Sequence, residues 1–387
     1  MSIKNLIVFS KRLPPEYVGG IETSAYYMIR NLSRQNEFRV RVITVRSKIL
    51  LLLRTYKREF DGESVLTSHL KKSEMKKLPV IEKMLRGTGF DPAETLIYHN
   101  TLDLYPFYEH FRAQGYAQVA RSGGNDIFFM EKTARERLVA GINQLDYLIV
   151  NSNFSLGRSA ELGIDKQRMT VIKGGCEPAP EQTPEIDLAD DRPVLLTCGR
   201  LVDFKGLEDA LHALALVKQE GLSFRFVIVG EGELRPELES LSSRLGLEDD
   251  VCFYGKVAPA MVQSFYKRSA LYLSTSKDIQ KESKGVSYLH TETMGRSICE
   301  AQANAVPVVA TDAGGVPEML QPNKTGLLVP QGNVQAIADA VCQLLGDTEL
   351  RHQMGIAARQ FAQTDFGWGR VVGQSIDVIR RIKGDDE

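Results

Sequence analysis

The stretch "MTVIKGGCEPAPEQTPEIDLADDRPVLLTCG" (169–199) decides how this chain is divided. It opens on one short apolar run, "MTVI", and closes on another, "VLLT". Between them lie four prolines, many acids and few large apolar residues. Such a segment has little to bury, so it reads as a linker and puts a domain boundary at 178–193. The two apolar runs read as buried strands, the last of one domain and the first of the next.

The same rhythm continues on both sides. Upstream stand "NLIVFS" (5–10), "RVRVITV" (39–45), "TLIYHN" (95–100), "AQVARSG" (117–123) and "DYLIVNS" (146–152). Downstream stand "FRFVIVGEG" (224–232), "VCFYG" (251–255), "ALYLSTS" (270–276) and "PVVATDAGG" (307–315). Helical patterns separate them, as in "LEDALHALALVKQEG" (207–221). Alternating strands and helices are the pattern of βαβ units and a parallel sheet. The expected fold class is α/β: two tandem doubly wound Rossmann-like domains, 1–178 and 193–365, joined by a linker at 179–192. A deep cleft between such domains is the default ligand site. The last stretch, "FGWGRVVGQSIDVIRRIK" (366–383), carries Val371, Val372, Ile376, Ile379 and Ile382 as a helical stripe.

With 387 residues, 43% hydrophobic and 25% charged, the chain suits a globular protein with substantial cores. A net charge of −1 excludes a generally basic nucleic-acid binder. The charge is uneven, however, because residues 46–86 carry eleven Lys/Arg against five acids. Within that region "SKILLLLRTYKREF" (47–60) sets five apolar residues between cations. It reads as a helix on an anionic membrane surface, or as a core helix with a basic outer face. Five scattered cysteines without a C-x-x-C pair suit reduced thiols in a cytoplasmic protein better than disulfides or a zinc site. The opening "MSIKNLIVFSKRLPPEY" lacks the long apolar core of a signal peptide, and no run approaches the roughly 20 apolar residues that cross a bilayer. The expected location is cytoplasmic, with peripheral attachment at the inner membrane face as its extension.

"TETMGRSICEA" (291–301) holds the most suggestive chemistry. Eight residues turn an ideal helix through 800°, so Glu292 and Glu300 would stand about 80° out of phase on one helix. If the helix begins near Arg296, Glu292 lies in the preceding loop and Glu300 one turn inside. The N–H groups of Gly295, Arg296, Ser297 and Ile298 are then free to meet an anion. Two glutamates flanking such a cradle fit a diphosphate with a sugar on each side. The competing reading is a surface turn leading into an ordinary helix.

"GRLVDFKG" (199–206) follows the first strand of the second domain. There Arg200 and Lys205, with glycines at both ends, suit a pyrophosphate. "EYVGGIETSA" (16–25) places Gly19 and Gly20 before a helix, again as an anion cradle. In "GEGEL" (230–234), Gly230 and Gly232 allow close backbone approach to a base or ribose, or simply make a tight turn. "YHNTLD" (98–103) and "RSGGNDIF" (121–128) put His99, Asn100, Gly124, Asn125 and Asp126 at strand ends on the cleft edge, where an acceptor could bind. No D-x-D pair for a divalent metal occurs, and no G-x-x-x-x-G-K-[ST] phosphate loop. Protein cations and N–H groups would therefore stabilise a leaving diphosphate without a metal or cofactor.

"GRLVDFKG", "VGEGEL", the E-x7-E of "ETMGRSICEA" and "PVVATDAGGVPEML" occur in that order within 193–365. Together they resemble the retaining nucleotide-sugar glycosyltransferases of glycosyltransferase family four, which have the GT-B fold. The resemblance implies that Arg200 and Lys205 bind the donor diphosphate, that Glu300 holds the ribose hydroxyls and that Glu292 contacts the donor sugar. Backbone groups around Gly295–Ile298 and Gly19–Gly20 complete the donor site, and the helix in 366–387 crosses back to the first, acceptor-binding domain. Two departures stand out. Met294 replaces the family's usual phenylalanine. The histidine many relatives carry after the strand ending in "RSGGND" is missing here, so Asn125 or Asp126 would take part of its role. Asp126 therefore joins Glu292, Arg200 and Lys205 as a candidate catalytic residue.

The expected reaction is transfer of a sugar from a nucleotide diphosphate, UDP first and GDP second, to a glycan or lipid-linked acceptor. It would serve cell-surface glycan, lipopolysaccharide or glycolipid synthesis. The rivals are a hydrolase using Glu292 and Glu300 as acid and base, and an isomerising or non-catalytic nucleotide-sugar binder.

Overall fold

The computed structural model describes residues 3–11, 13, 20–35, 37–46, 55–123, 127, 132–186, 188, 191–283 and 286–382. The chain divides into two units. One comprises Met1–Gly174, Ser283–Val286 and Trp368–Glu387, and the other Gly175–Glu282 and Ser287–Gly367.

In the first unit the strands are β1 (Asn5–Ser10), β2 (Arg39–Arg46), β3 (Thr55–Phe60), β4 (Glu63–Lys71), β5 (Thr95–His99), β6 (Ala117–Arg121), β7 (Tyr147–Val150) and β8 (Met169–Val171). They form one sheet in the order β3-β4-β2-β1-β5-β6-β7-β8, parallel except for β3 against β4. Side chains alternate across its two faces and both are covered, which is why β1 is buried throughout and apolar from Leu6 to Phe9. Leu6 and Val8 join Met28 and Leu32 of the Gly20–Arg34 helix on one face. Ile7 and Phe9 join Ile81, Phe111 and Leu138 on the other.

The helix Trp368–Arg381 belongs to this unit. Its stripe of Val371, Val372, Ile376 and Ile379 is buried in the same cluster as Met28 and Leu32. Trp368 stacks on Tyr27 with ring centroids 4.8 Å apart, and Arg380 pairs with Glu37 at 2.9 Å.

One expectation fails here. Residues 55–60 of the supposed basic helix are strand β3, paired antiparallel with β4 through a turn at Asp61 and Gly62, both at positive φ. Two such residues are what a tight hairpin needs. "TYKREF" alternates exposed and half-buried side chains, a two-residue period that suits an edge strand. The remainder of that stretch, 47–54, lies outside the described residues.

The second unit contains β9 (Val194–Cys198), β10 (Arg225–Val229), β11 (Val251–Gly255), β12 (Ser269–Ser274), then, apart from Ser283 and Val286, the paired β13 (Ile279–Ser283) and β14 (Val286–His290), then β15 (Val308–Thr311) and β16 (Gly326–Val329). Its parallel sheet runs β11-β10-β9-β12-β15-β16. Counting sheet strands in chain order gives 3-2-1-4-5-6, the doubly wound arrangement in which the order reverses between β9 and β12. Ligands of such sheets sit at the carboxyl ends of those two strands.

Residues 179–186, expected as part of a free linker, are bound down on this unit. The Ala179 N–H donates to Asn304 Oδ1 at 2.8 Å, Lys267 Nζ donates to the Pro180 and Glu181 carbonyls at 2.5 and 2.7 Å, and Ser264 Oγ donates to the Pro184 carbonyl at 2.6 Å. Leu188 is buried in the core. Side chains from the helix Pro259–Arg268 thus satisfy a segment that has no secondary structure of its own. No helix among the described residues is long and apolar enough to cross a membrane.

Candidate functional site

The loop after β9, Gly199–Gly206, is braced from two sides. The Leu201 N–H donates to the Glu231 carbonyl at 3.0 Å, and the Leu234 N–H donates back to the Leu201 carbonyl at 3.2 Å. A Cβ on Gly230 would lie 1.8 Å from the Gly199 oxygen, and one on Gly232 2.1 Å from the Leu201 oxygen. These glycines therefore make room for the neighbouring loop backbone, the tight-turn reading of "GEGEL". At the far end Gly206 sits at φ 60, where a Cβ would lie 2.0 Å from the Thr275 oxygen. Thr275 Oγ1 donates to the Lys205 carbonyl at 3.1 Å. The loop carrying both cations is thereby tied to the carboxyl ends of β10 and β12.

Lys205 Nζ pairs with Glu292 Oε2, and the other carboxylate oxygen of Glu292 accepts the Gly295 N–H at 3.2 Å. Gly295, at φ 81, precedes the helix Arg296–Ala303. The turn at Gly314–Gly315 backs this loop: the Gly315 N–H donates to the Glu292 carbonyl at 2.9 Å, and a Cβ on Gly314 would lie 2.2 Å from that oxygen.

The helix start is narrower than expected. The Gly295 N–H is taken by Glu292, and the Ile298 N–H donates to the Gly295 carbonyl at 3.0 Å. Of the four N–H groups proposed for an anion, those of Arg296 and Ser297 remain, as first-turn groups with no intrahelical acceptor. The Met294 and Ile298 side chains are buried in the core, so neither residue presents a side chain to a ligand.

Glu300 lies one turn in. Its Oε1 is 3.1 Å from Arg296 Nη2, and its Oε2 accepts the Tyr266 hydroxyl at 3.1 Å. Arg200 is exposed on the same loop as Lys205. Beside it Asp203 pairs with Lys281 of β13 and lies 3.2 Å from His290 Nδ1 at the end of β14. The His290 ring packs at 4.3 Å against Phe204. Burial, aided by the charges of Lys281 and Arg200, holds its pKa below the ordinary histidine value against the opposing pull of Asp203.

Sequence reasoning missed Tyr266, the Asp203–Lys281–His290 cluster and Gly314. For the cluster the signal was present: "IQKES" and "VSYLH" are two short runs around a Lys-Gly pair, a hairpin pattern. Tyr266 has no local signal, because it is 34 positions from Glu300 in sequence. Among the described residues no group of three or more His, Cys, Asp or Glu could hold a metal.

The first unit's candidates fare differently. Gly20 opens the Gly20–Arg34 helix. Gly19, Gly124, Asn125 and Asp126 lie outside the described residues. His99 is a correction: it is fully buried, 3.3 Å from Gln118 and packed against Tyr108 at 4.5 Å, so it cannot contact an acceptor. Asn100 is also buried, with its N–H donated to the Phe9 carbonyl at 2.8 Å. The reason is tertiary: the helix Tyr108–Ala113 packs Tyr108 and Phe111 against the end of β5 and encloses His99.

Burial pushes the His99 ring down from 6.5 to about 3. The unfolded chain would therefore take a proton below about pH 6.5 that the folded ring refuses. Stability is full above that pH and falls by about 1.4 kcal/mol per unit as pH drops toward 3. Denaturant titrations followed by the single tryptophan, Trp368 in this unit, should show that slope. His99→Gln should remove it, and an unchanged slope in the variant would assign it elsewhere.

Two Rossmann-like domains, the second with cations and a helix start at its switch point, are the arrangement of the GT-B fold. The HepE protein of Anabaena, crystallised with UDP and glucose, has this fold: TM-score 0.74 at 20% identity, covering 97% of this chain and 99% of that one. Residues 179–361 match the family model "Glycosyl transferases group 1". A GDP-mannose-dependent alpha-(1-6)-phosphatidylinositol monomannoside mannosyltransferase of Mycobacterium tuberculosis is 32% identical over 196 residues, 51% of this chain and 49% of its own. Alpha-D-kanosaminyltransferase of Streptomyces kanamyceticus is 32% identical over 193 residues, 50% and 47% of the two chains. The chain thus matches about half the length of these relatives.

Proposed function

We propose that this chain is a retaining glycosyltransferase of family four, moving a sugar from a nucleotide diphosphate to an acceptor hydroxyl without a metal. The observation that carries the reading is that Lys205, on the loop after β9 that also bears Arg200, is joined through Glu292 to Gly295 at the start of the Arg296–Ala303 helix. Fixed positive charge and open N–H groups are what a departing diphosphate requires. Glu300 takes the ribose and Glu292 the donor sugar. The departing phosphate itself serves as base, on the face from which the acceptor attacks.

UDP is the leading nucleotide, supported by the UDP complex of HepE, and GDP the second, supported by the mycobacterial relative. The first unit presents the acceptor, which we assign to cell-surface glycan or glycolipid synthesis. A screen of UDP- and GDP-sugars against glycan and lipid-linked acceptors, reading nucleotide release, tests the activity. NMR of the anomeric proton in the product tests retention. Donor binding without acceptor-dependent release would refute transfer.

Lys71, Lys72, Lys76 and Lys77 are exposed together after β4. A peripheral contact with anionic membrane through this patch would follow from its charge. Co-sedimentation with phosphatidylserine vesicles should be strong at low salt and lost by about 0.5 M. No pelleting at low salt removes the idea.

A further inference from the structure

Tyr266 lies fully buried on the Pro259–Arg268 helix, behind the helix that carries Glu300. Its hydroxyl is 3.1 Å from Glu300 Oε2 and 3.3 Å from the Ser297 carbonyl. Arg296 holds the other carboxylate oxygen at 3.1 Å. Glu300 is thus gripped from two sides, once by a neighbour on its own helix and once from a separate element. A charged acceptor strengthens such a bond, and a buried hydroxyl without a partner is costly, so the contact is worth keeping on both counts. The Tyr266 ring packs beside Tyr272 at 6.0 Å and would stay there without its oxygen.

We propose that Tyr266 is a positioning residue for recognition of the donor's ribose, fixing the Glu300 carboxylate so that two adjacent hydroxyls can bond to it together. The inference rests on the reading of Glu300 as the ribose-binding residue. It assigns Tyr266 an effect confined to the ribose hydroxyls, with no part in holding the phosphates.

The test compares UDP with 2′,3′-dideoxy-UDP by calorimetry, with GDP and its dideoxy form used if UDP does not bind. The wild type should prefer the ribonucleotide by at least about tenfold, as a site built for hydroxyls does. Tyr266→Phe should cut that preference to about threefold while leaving the dideoxy compound's affinity unchanged. In a Glu300→Ala background the same substitution should add no further loss, since the two residues act as one unit. A Phe variant with the wild-type preference overturns the role of Tyr266 and leaves that of Glu300 intact. A wild type that binds both nucleotides equally, or neither form of either nucleotide, overturns Glu300 as the ribose residue and Tyr266 with it.

Discussion

Lys205→Ala should lower the transfer rate by about 10²–10³ while leaving the fold intact. The magnitude is that of removing one donor aimed at developing negative charge in a transition state. Lys205 suits that role because its loop is immobilised at both ends: Leu201 is held by Glu231, and Gly206 is seated against Thr275. Phe204 beside it is buried, so the ammonium stands on a fixed stem. Its own side chain is 22% exposed, and truncating it removes little packing. Steady-state kinetics with a UDP-sugar, alongside a thermal melt, separates the two effects. A variant that melts like the wild type and also turns over like it would take Lys205 out of the mechanism.

Glu292→Gln should change binding and turnover in opposite directions. The Glu292 carboxylate holds Lys205 with one oxygen and the Gly295 N–H with the other. It thus acts as a resident anion on Lys205, one of the groups a phosphate would use. An incoming diphosphate must displace it and meets its charge while doing so. Glutamine keeps the shape and removes the charge, so UDP alone should bind about fivefold more tightly. That is roughly 1 kcal/mol, the scale of a single charge contact open to solvent. Transfer should nevertheless fall about 100-fold or more, because the displaced carboxylate is the group proposed to bind the donor sugar. Calorimetry with UDP and kinetics with the sugar nucleotide read the two halves. Weaker UDP binding in the variant would mean that Glu292 helps to hold the phosphates and does not compete with them.

The central strands were legible because both faces of the sheet are covered there, which leaves them largely apolar, whereas the mixed "ESVLTSHLK" of β4 went unread. "NLIVFS" and "PVVAT" could hardly be anything else. The phosphate loop was legible for the same reason, since a glycine and a cation after such a run mark a strand's carboxyl end. Residues that act on other backbone were harder to read. Gly230 and Gly232 stand where a ligand could approach, yet the atoms nearest their missing Cβ are the oxygens of Gly199 and Leu201, some thirty residues earlier. His99 was misjudged because a strand end suggests exposure, and burial by Tyr108 and Phe111 depends on a helix whose docking no local pattern reveals. Residues 179–186 looked free because prolines and acids dominate their composition. The partners that bind them down, Ser264, Lys267 and Asn304, lie far along the chain.

The account depends on where a nucleoside diphosphate binds, and a crystal structure of the complex with UDP or GDP measures that directly. The account predicts phosphate oxygens within hydrogen-bond distance of Lys205 Nζ and of the Arg296 and Ser297 N–H groups, with Glu292 turned away from Lys205 and the ribose on Glu300. A diphosphate bound anywhere else, with the Lys205–Glu292 pair still closed, would contradict it.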